Sequence, residues 1–78
     1  MTVVAGVVVE TLPGRARVVS GRLALRKGLS VKGDDGDSRI AAVFTGVDAA
    51  ALEALGEELL RTDEAIVGVF PTLVGQDA

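Results

Sequence analysis

The feature that most restricts this chain is its opening run, Val3–Glu10 (VVAGVVVE). Five of these eight residues are valine, whose branched side chain suits a pleated strand better than a helix. The run is apolar at both parities until Glu10, so both faces of the strand seek cover. That is the pattern of a strand in the middle of a sheet, and any fold for the chain must be built around it.

Composition narrows what can surround this strand. Seventy-eight residues make a single domain, 1–78, with no room for a second. There is no Cys, so no disulfide can staple the fold, and the core must come from packed Val, Leu, Ile and Ala. The chain also lacks His, Trp, Tyr and Asn, and its only aromatic residues are Phe44 and Phe70. A zinc site of the usual kind, a thiolate nucleophile and an imidazole base near pH 7 are thereby excluded. The expectation is a binding module without cofactor or catalysis. Hydrophobic residues make up 49% of the chain, more than so small a domain buries easily. Either the monomer carries an apolar patch or it buries one against a partner.

Charge is unevenly spread. Residues 1–33 hold six basic residues and one acid, a charge of +5, while residues 34–78 hold two basic residues and ten acids, a charge of −8. The asymmetry means either two binding faces or two halves that pair within the fold. The apolar opening has no basic residues ahead of it, is too short to span a bilayer and runs into a charged stretch. The expectation is a cytoplasmic protein without membrane insertion.

Beyond the first strand, Thr11–Gly14 breaks the pattern, and Pro13 suits a first helical turn. Leu12, Ala16, Val19 and Leu23 then recur at helical spacing, predicting a helix over Arg15–Lys27 closed by Gly28. Leu29–Gly33 alternates as a half-exposed strand, Asp34–Ser38 reads as a turn, and Arg39–Thr45 is the next strand, in an antiparallel hairpin. Asp48 caps a second helix, with Val47 and Leu52 as a hydrophobic staple. Leu52, Leu55 and Leu59 line its inner face, Gly56 permits close approach, and Glu57 and Arg61 stand at a favourable i,i+4 spacing. Ala65–Val74 closes the chain as a strand, and Pro71 marks it as an edge. The order β-α-β-β-α-β predicts an α+β, ferredoxin-like fold: a four-stranded antiparallel sheet with both helices on one face.

Few residues in this frame carry chemistry. Asp34, Asp35 and Asp37 lack the spacing of a calcium-binding loop and read as a solvated turn. Gly14-Arg15 with Arg22 resembles the phosphate-cradling loop of acylphosphatases only faintly. Val18 and Ser20 stand where that loop needs glycines, and its water-positioning Asn has no counterpart. No P-loop or dinucleotide fingerprint exists, and no CxxC for a metallochaperone. The basic first half lacks the aromatic platform on which nucleic-acid bases stack, so no nucleic acid is expected.

The sheet face opposite the helices remains. Alternation turns Ala5, Val7, Val9, Ile40, Ala42, Phe44, Val67, Val69 and Leu73 inward. It turns Val4, Gly6, Val8, Glu10, Ala41, Val43, Thr45, Ile66, Gly68, Phe70, Thr72 and Val74 outward. The outward set is apolar with small residues among it, a shallow trough suited to a peptide or a second sheet. The candidate binding residues are Gly6, Val8, Glu10, Val43, Thr45, Phe70 and Thr72.

From about Val4 to Val74 the chain resembles the NapD family, the chaperones of periplasmic nitrate reductase. The resemblance rests on Ala5-Gly6-Val7-Val8-Val9, Pro13-Gly14-Arg15, Gly28-Leu29-Ser30-Val31, Asp35-Gly36 and Ala65-Ile66-Val67-Gly68-Val69. The chain departs from the family's pattern at Lys27-Gly28, Thr45 and Leu73-Val74. The resemblance implies a cytoplasmic protein that binds the twin-arginine signal peptide of a nitrate reductase catalytic-subunit precursor. Holding that peptide would delay export until the molybdenum cofactor is inserted. In physical terms the peptide's apolar side would lie on the open face and its arginines near Glu10, with the protein expected as a monomer and a homodimer left open. The other expectation is a regulatory or dimerisation module of the ACT or Lrp-effector type, a homodimer with a small ligand between subunits.

Overall fold

A computed structural model describes residues 2–77, with side chains as far as Thr72. The elements are β1 (Thr2–Thr11), α1 (Ala16–Leu23), β2 (Leu29–Asp34), β3 (Arg39–Gly46), α2 (Ala49–Thr62) and β4 (Ile66–Asp77). The sheet order is β2-β3-β1-β4, with every neighbouring pair antiparallel. This is the expected ferredoxin-like α+β fold. The valine-rich strand lies centrally, between β3 and β4.

Both helices pack on the face that carries the inward parity of β1 and β3. Ala5, Val7, Val9, Ile40, Ala42 and Phe44 join Ala16, Val19 and Leu23 of α1 and Leu52 and Leu59 of α2 in one core. Each fully buried Val or Leu stabilises the fold by about 1.5–3 kcal/mol before the loss of chain entropy is counted. Gly56 sits under Val69, where an added Cβ would meet ordinary van der Waals distances of 3.6 and 3.8 Å.

The helix ends are held in different ways. Asp48 accepts a hydrogen bond from the Ala51 N–H at 2.8 Å, as an N-cap should. Arg15 offers α1 no such side-chain cap. The β2–β3 loop supplies the missing acceptors: the Ala16 N–H donates to the Asp37 carbonyl at 2.9 Å, and the Gly14 N–H to Asp37 Oδ1 at 2.8 Å. The hairpin loop thus caps the helix from a distance in sequence, with Gly14 in the left-handed region at φ +79°.

Several expectations need correction. Helix α1 stops at Leu23, well short of Lys27, so Gly28 is not its cap. Leu25 is 88% exposed, and the Leu25 and Arg26 N–H groups donate to the Arg22 and Leu23 carbonyls as the chain tightens into a turn. Gly28, at φ +83°, lies in the turn just before β2, and its carbonyl accepts the Thr45 N–H at 2.8 Å. Leu12 is exposed and outside the helical stripe, and Val47 is 77% exposed, which leaves little of it to staple Leu52.

On β4 the first residues are inverted. Ile66, expected outward, is buried at 4%, while Val67, expected inward, is 54% exposed. Thr11 pairs with Ile66 but Glu10 pairs with Gly68, so Val67 is the extra residue of a β-bulge. Beyond the bulge Val69 is half-buried and Phe70 exposed, as expected. The side chains of Leu73 and Val74 lie outside the described residues.

The charge asymmetry is used partly within the fold. Arg22 grips Asp63 with two hydrogen bonds of 3.0 Å, from Nε and one Nη. Arg26 pairs with Glu58 at 3.1 Å. Arg22 of α1 and Arg26 in the turn that follows it therefore meet the acidic flank and C-terminal end of α2. Among the described residues Glu57 and Arg61 form no ion pair. Half-exposed pairs of this kind are worth no more than about 1 kcal/mol each.

Candidate functional site

Strand register builds the open face row by row. Across β3 and β1, Thr45 lies opposite Val4, Val43 opposite Gly6, Ala41 opposite Val8, and Arg39 opposite Glu10. On the other flank Phe70 lies opposite Val8, and Gly68 opposite Glu10. Gly6, Val8, Glu10, Val43, Thr45 and Phe70 therefore share one face, all exposed or half-exposed. Thr72 reaches this face by another route. Val7 pairs with Pro71 and Gly6 with Leu73, which makes Thr72 the extra residue of a second bulge.

The face carries a shallow depression near the β2–β3 loop. Its volume is about 670 Å³, and Val8, Ala41, Phe70 and Thr72 line it together with the charged Glu10, Arg39, Asp34 and Asp35. Phe70 is 51% exposed, and its ring lies across Gly68, where a Cβ would sit 2.6 Å from the ring edge. Gly68 is buried under that ring. The result is an apolar floor of Val and Ala with one half-exposed aromatic wall.

Glu10 and Arg39 close the acidic end. Arg39 Nε lies 3.4 Å from Glu10 Oε1, and among the described residues no hydrogen bond is made to the Glu10 carboxylate. The neighbouring carboxylates are otherwise engaged. Asp35 Oδ1 accepts from the N–H groups of Asp37, Ser38 and Arg39 at 2.9–3.0 Å. These bonds, led by those from Arg39 and Asp37, hold the Asp35 carboxyl below its ordinary pKa. Asp34 Oδ1 accepts from the Gly36 N–H, and Asp34 Oδ2 from the Ser20 hydroxyl at 3.3 Å. The three aspartates build the loop, and no group of metal-ligating side chains forms among the described residues.

The helix entry at Gly14–Ala16 is likewise occupied. The Gly14 and Ala16 N–H groups donate to Asp37, which fills the place where a phosphate-cradling loop would hold its anion.

Arg39, Ala41 and Val4 belong to the face but not to the expected binding set. Their signal is the same alternation: Arg39 is two residues before Ala41, and so falls on the outward parity. No protein-family model, curated protein or solved structure matches this chain. No helix among the described residues is long and apolar enough to cross a membrane.

Proposed function

We propose that this protein is a binding chaperone that holds the twin-arginine signal peptide of a periplasmic nitrate reductase precursor, without catalysing a reaction. The observation that carries the reading is the uncovered apolar trough of Gly6, Val8, Val43, Phe70 and Thr72 with a carboxylate, Glu10, at its end. A signal peptide of this type joins an apolar stretch to an arginine pair, and trough and carboxylate match those two parts. The NapD-like sequence pattern supports the same choice of cargo. Peptide held here is withdrawn from the export machinery by mass action, so affinity and release rate set the delay before export. The compartment in which this competition works is the cytoplasm.

Titration with a synthetic peptide carrying an Arg-Arg pair ahead of a leucine-rich run tests the proposal, with backbone amide shifts as the readout. The largest shifts are expected at Gly6, Val8, Glu10, Val43, Thr45, Phe70 and Thr72. Shifts confined to α1 and α2, or no binding at micromolar peptide, would overturn it. Light scattering of the free protein provides the companion measurement. The chaperone reading expects a monomer, and a tight dimer at low micromolar concentration would favour the ACT-like or Lrp-like alternative.

A further inference from the structure

Resting on that reading, the arrangement at the acidic end assigns a role to a second residue. We infer that Arg39 is a built-in competitor: its guanidinium occupies Glu10 in the free protein and is exchanged for an arginine of the incoming peptide.

A comparison of Arg22–Asp63 with Arg39–Glu10 shows why exchange is feasible at the second pair. Arg22 holds Asp63 through two hydrogen bonds of 3.0 Å, the fork geometry in which a guanidinium binds a carboxylate most strongly. The Arg39 Nε lies 3.4 Å from Glu10 Oε1, and no hydrogen bond joins the two side chains. Its side chain is 68% exposed, so it leaves Glu10 without opening a buried gap. Most of the hydrogen-bonding capacity of Glu10 is thus unspent, whereas Asp34 and Asp35 beside it are tied to loop amides. A peptide arginine that reaches Glu10 with both arms of its fork replaces a weaker contact with a stronger one. Cross-strand register keeps Arg39 directly opposite Glu10, so the competitor is always present at the site. Weak or cation-free peptides then gain little at this end, while an arginine-bearing peptide displaces the guard.

The test compares Arg39→Ala, Glu10→Gln and the double variant with the unaltered protein. Each is titrated by calorimetry with the Arg-Arg peptide and with a Gln-Gln version of it. Circular dichroism establishes that each variant is folded. Arg39→Ala is expected to tighten the Arg-Arg peptide about two- to fivefold, the range of an exposed ion pair. It should leave the Gln-Gln peptide unchanged, and Glu10→Gln should weaken the Arg-Arg peptide and abolish the gain from Arg39→Ala. Binding of the Arg-Arg peptide that is unchanged or weakened by Arg39→Ala overturns the inference alone. So does an equal gain for both peptides. Failure of every protein to bind either peptide overturns the proposed function, and this inference with it.

Discussion

The two faces of the sheet carry the same small device in different surroundings. On the covered face the Phe44 ring folds over Gly46, two residues on in β3, so that a Cβ there would run into the ring. On the open face the Phe70 ring lies across Gly68, two residues back in β4, with the same result. Each glycine supplies the space its phenylalanine fills. Phe44, however, is 5% exposed and locked among core side chains, while Phe70 is 51% exposed with water on its far side. Strand alternation decides which face a residue joins. What lies over that face decides whether the residue is a fixed part of the core or a surface that can rearrange around a ligand.

The largest expected effect tests the parity itself. Val7 and Val8 are neighbours in β1, one buried at 3% and one half-exposed. Val7→Asp puts an unpaired carboxylate into the core, at a cost of more than about 4 kcal/mol. That consumes much of the roughly 4–12 kcal/mol on which a domain of this size rests, so the variant is expected to be unfolded by circular dichroism. Val8→Asp should cost less than about 1 kcal/mol and stay folded, while losing the Arg-Arg peptide. Unfolding of Val8→Asp with survival of Val7→Asp would mean that the helices cover the other face.

A smaller effect separates the two Phe–Gly pairs. Gly46→Ala forces a methyl group into a ring that cannot leave the core, and overpacking of this kind costs about 1–3 kcal/mol. The melting temperature should fall by about 4–8 °C for each kcal/mol lost. In Gly68→Ala the Phe70 ring swings into water, and the stiffer alanine backbone offsets part of the lost contact by about 0.5–1 kcal/mol. Urea denaturation should find the second variant within about 1 kcal/mol of the unaltered protein. Equal losses at both positions would show that Phe70 is as fixed as Phe44.

The part of this contrast that is legible in the sequence follows from bulges. β1 and β3 pair without interruption from Val3 opposite Gly46 to Glu10 opposite Arg39, so counting by twos assigns every side chain correctly. β4 is bulged at Val67 and Thr72, and the first bulge exchanges the roles of Ile66 and Val67. Nothing in Ala65-Ile66-Val67-Gly68 distinguishes a bulged strand from a regular one, because both valine and isoleucine suit either side. The end of α1 is hidden for a related reason. Ala24, Leu25 and Arg26 are good helix formers, and only the need to return to β2 turns them out of the helix. The residues of the open face are legible because they lie mostly on the regular strands. The Glu10–Arg39 pair needs register as well as parity, and register follows from the hairpin and the sheet order together.

The smallest expected effect concerns the loop that joins the two faces. Asp37 holds the entry of α1 on the covered side, while Arg39 borders the open depression, and Asp35 fixes the loop between them through three N–H groups. Because those bonds favour the ionised carboxylate, its pKa in the folded protein lies below the ordinary 3.8. The sign follows from linkage: the contribution of Asp35 is present in full above its unfolded pKa and is lost as pH falls through the depressed folded value. An amide-shift titration from pH 6 downward should show Asp37, Ser38 and Arg39 moving together, with a midpoint below 3.8. Core amides such as Val9 should stay still over the same range, because the group lies at the surface and its loss loosens only the loop. Asp35→Ala should remove the transition and, by taking away the oxygen that accepts the Arg39 N–H, disturb the open end of the trough before the core. A midpoint at or above the ordinary value would mean that the three N–H groups do not hold the carboxylate in solution. The loop would then not be the fixed border that separates a rigid covered face from an adaptable open one.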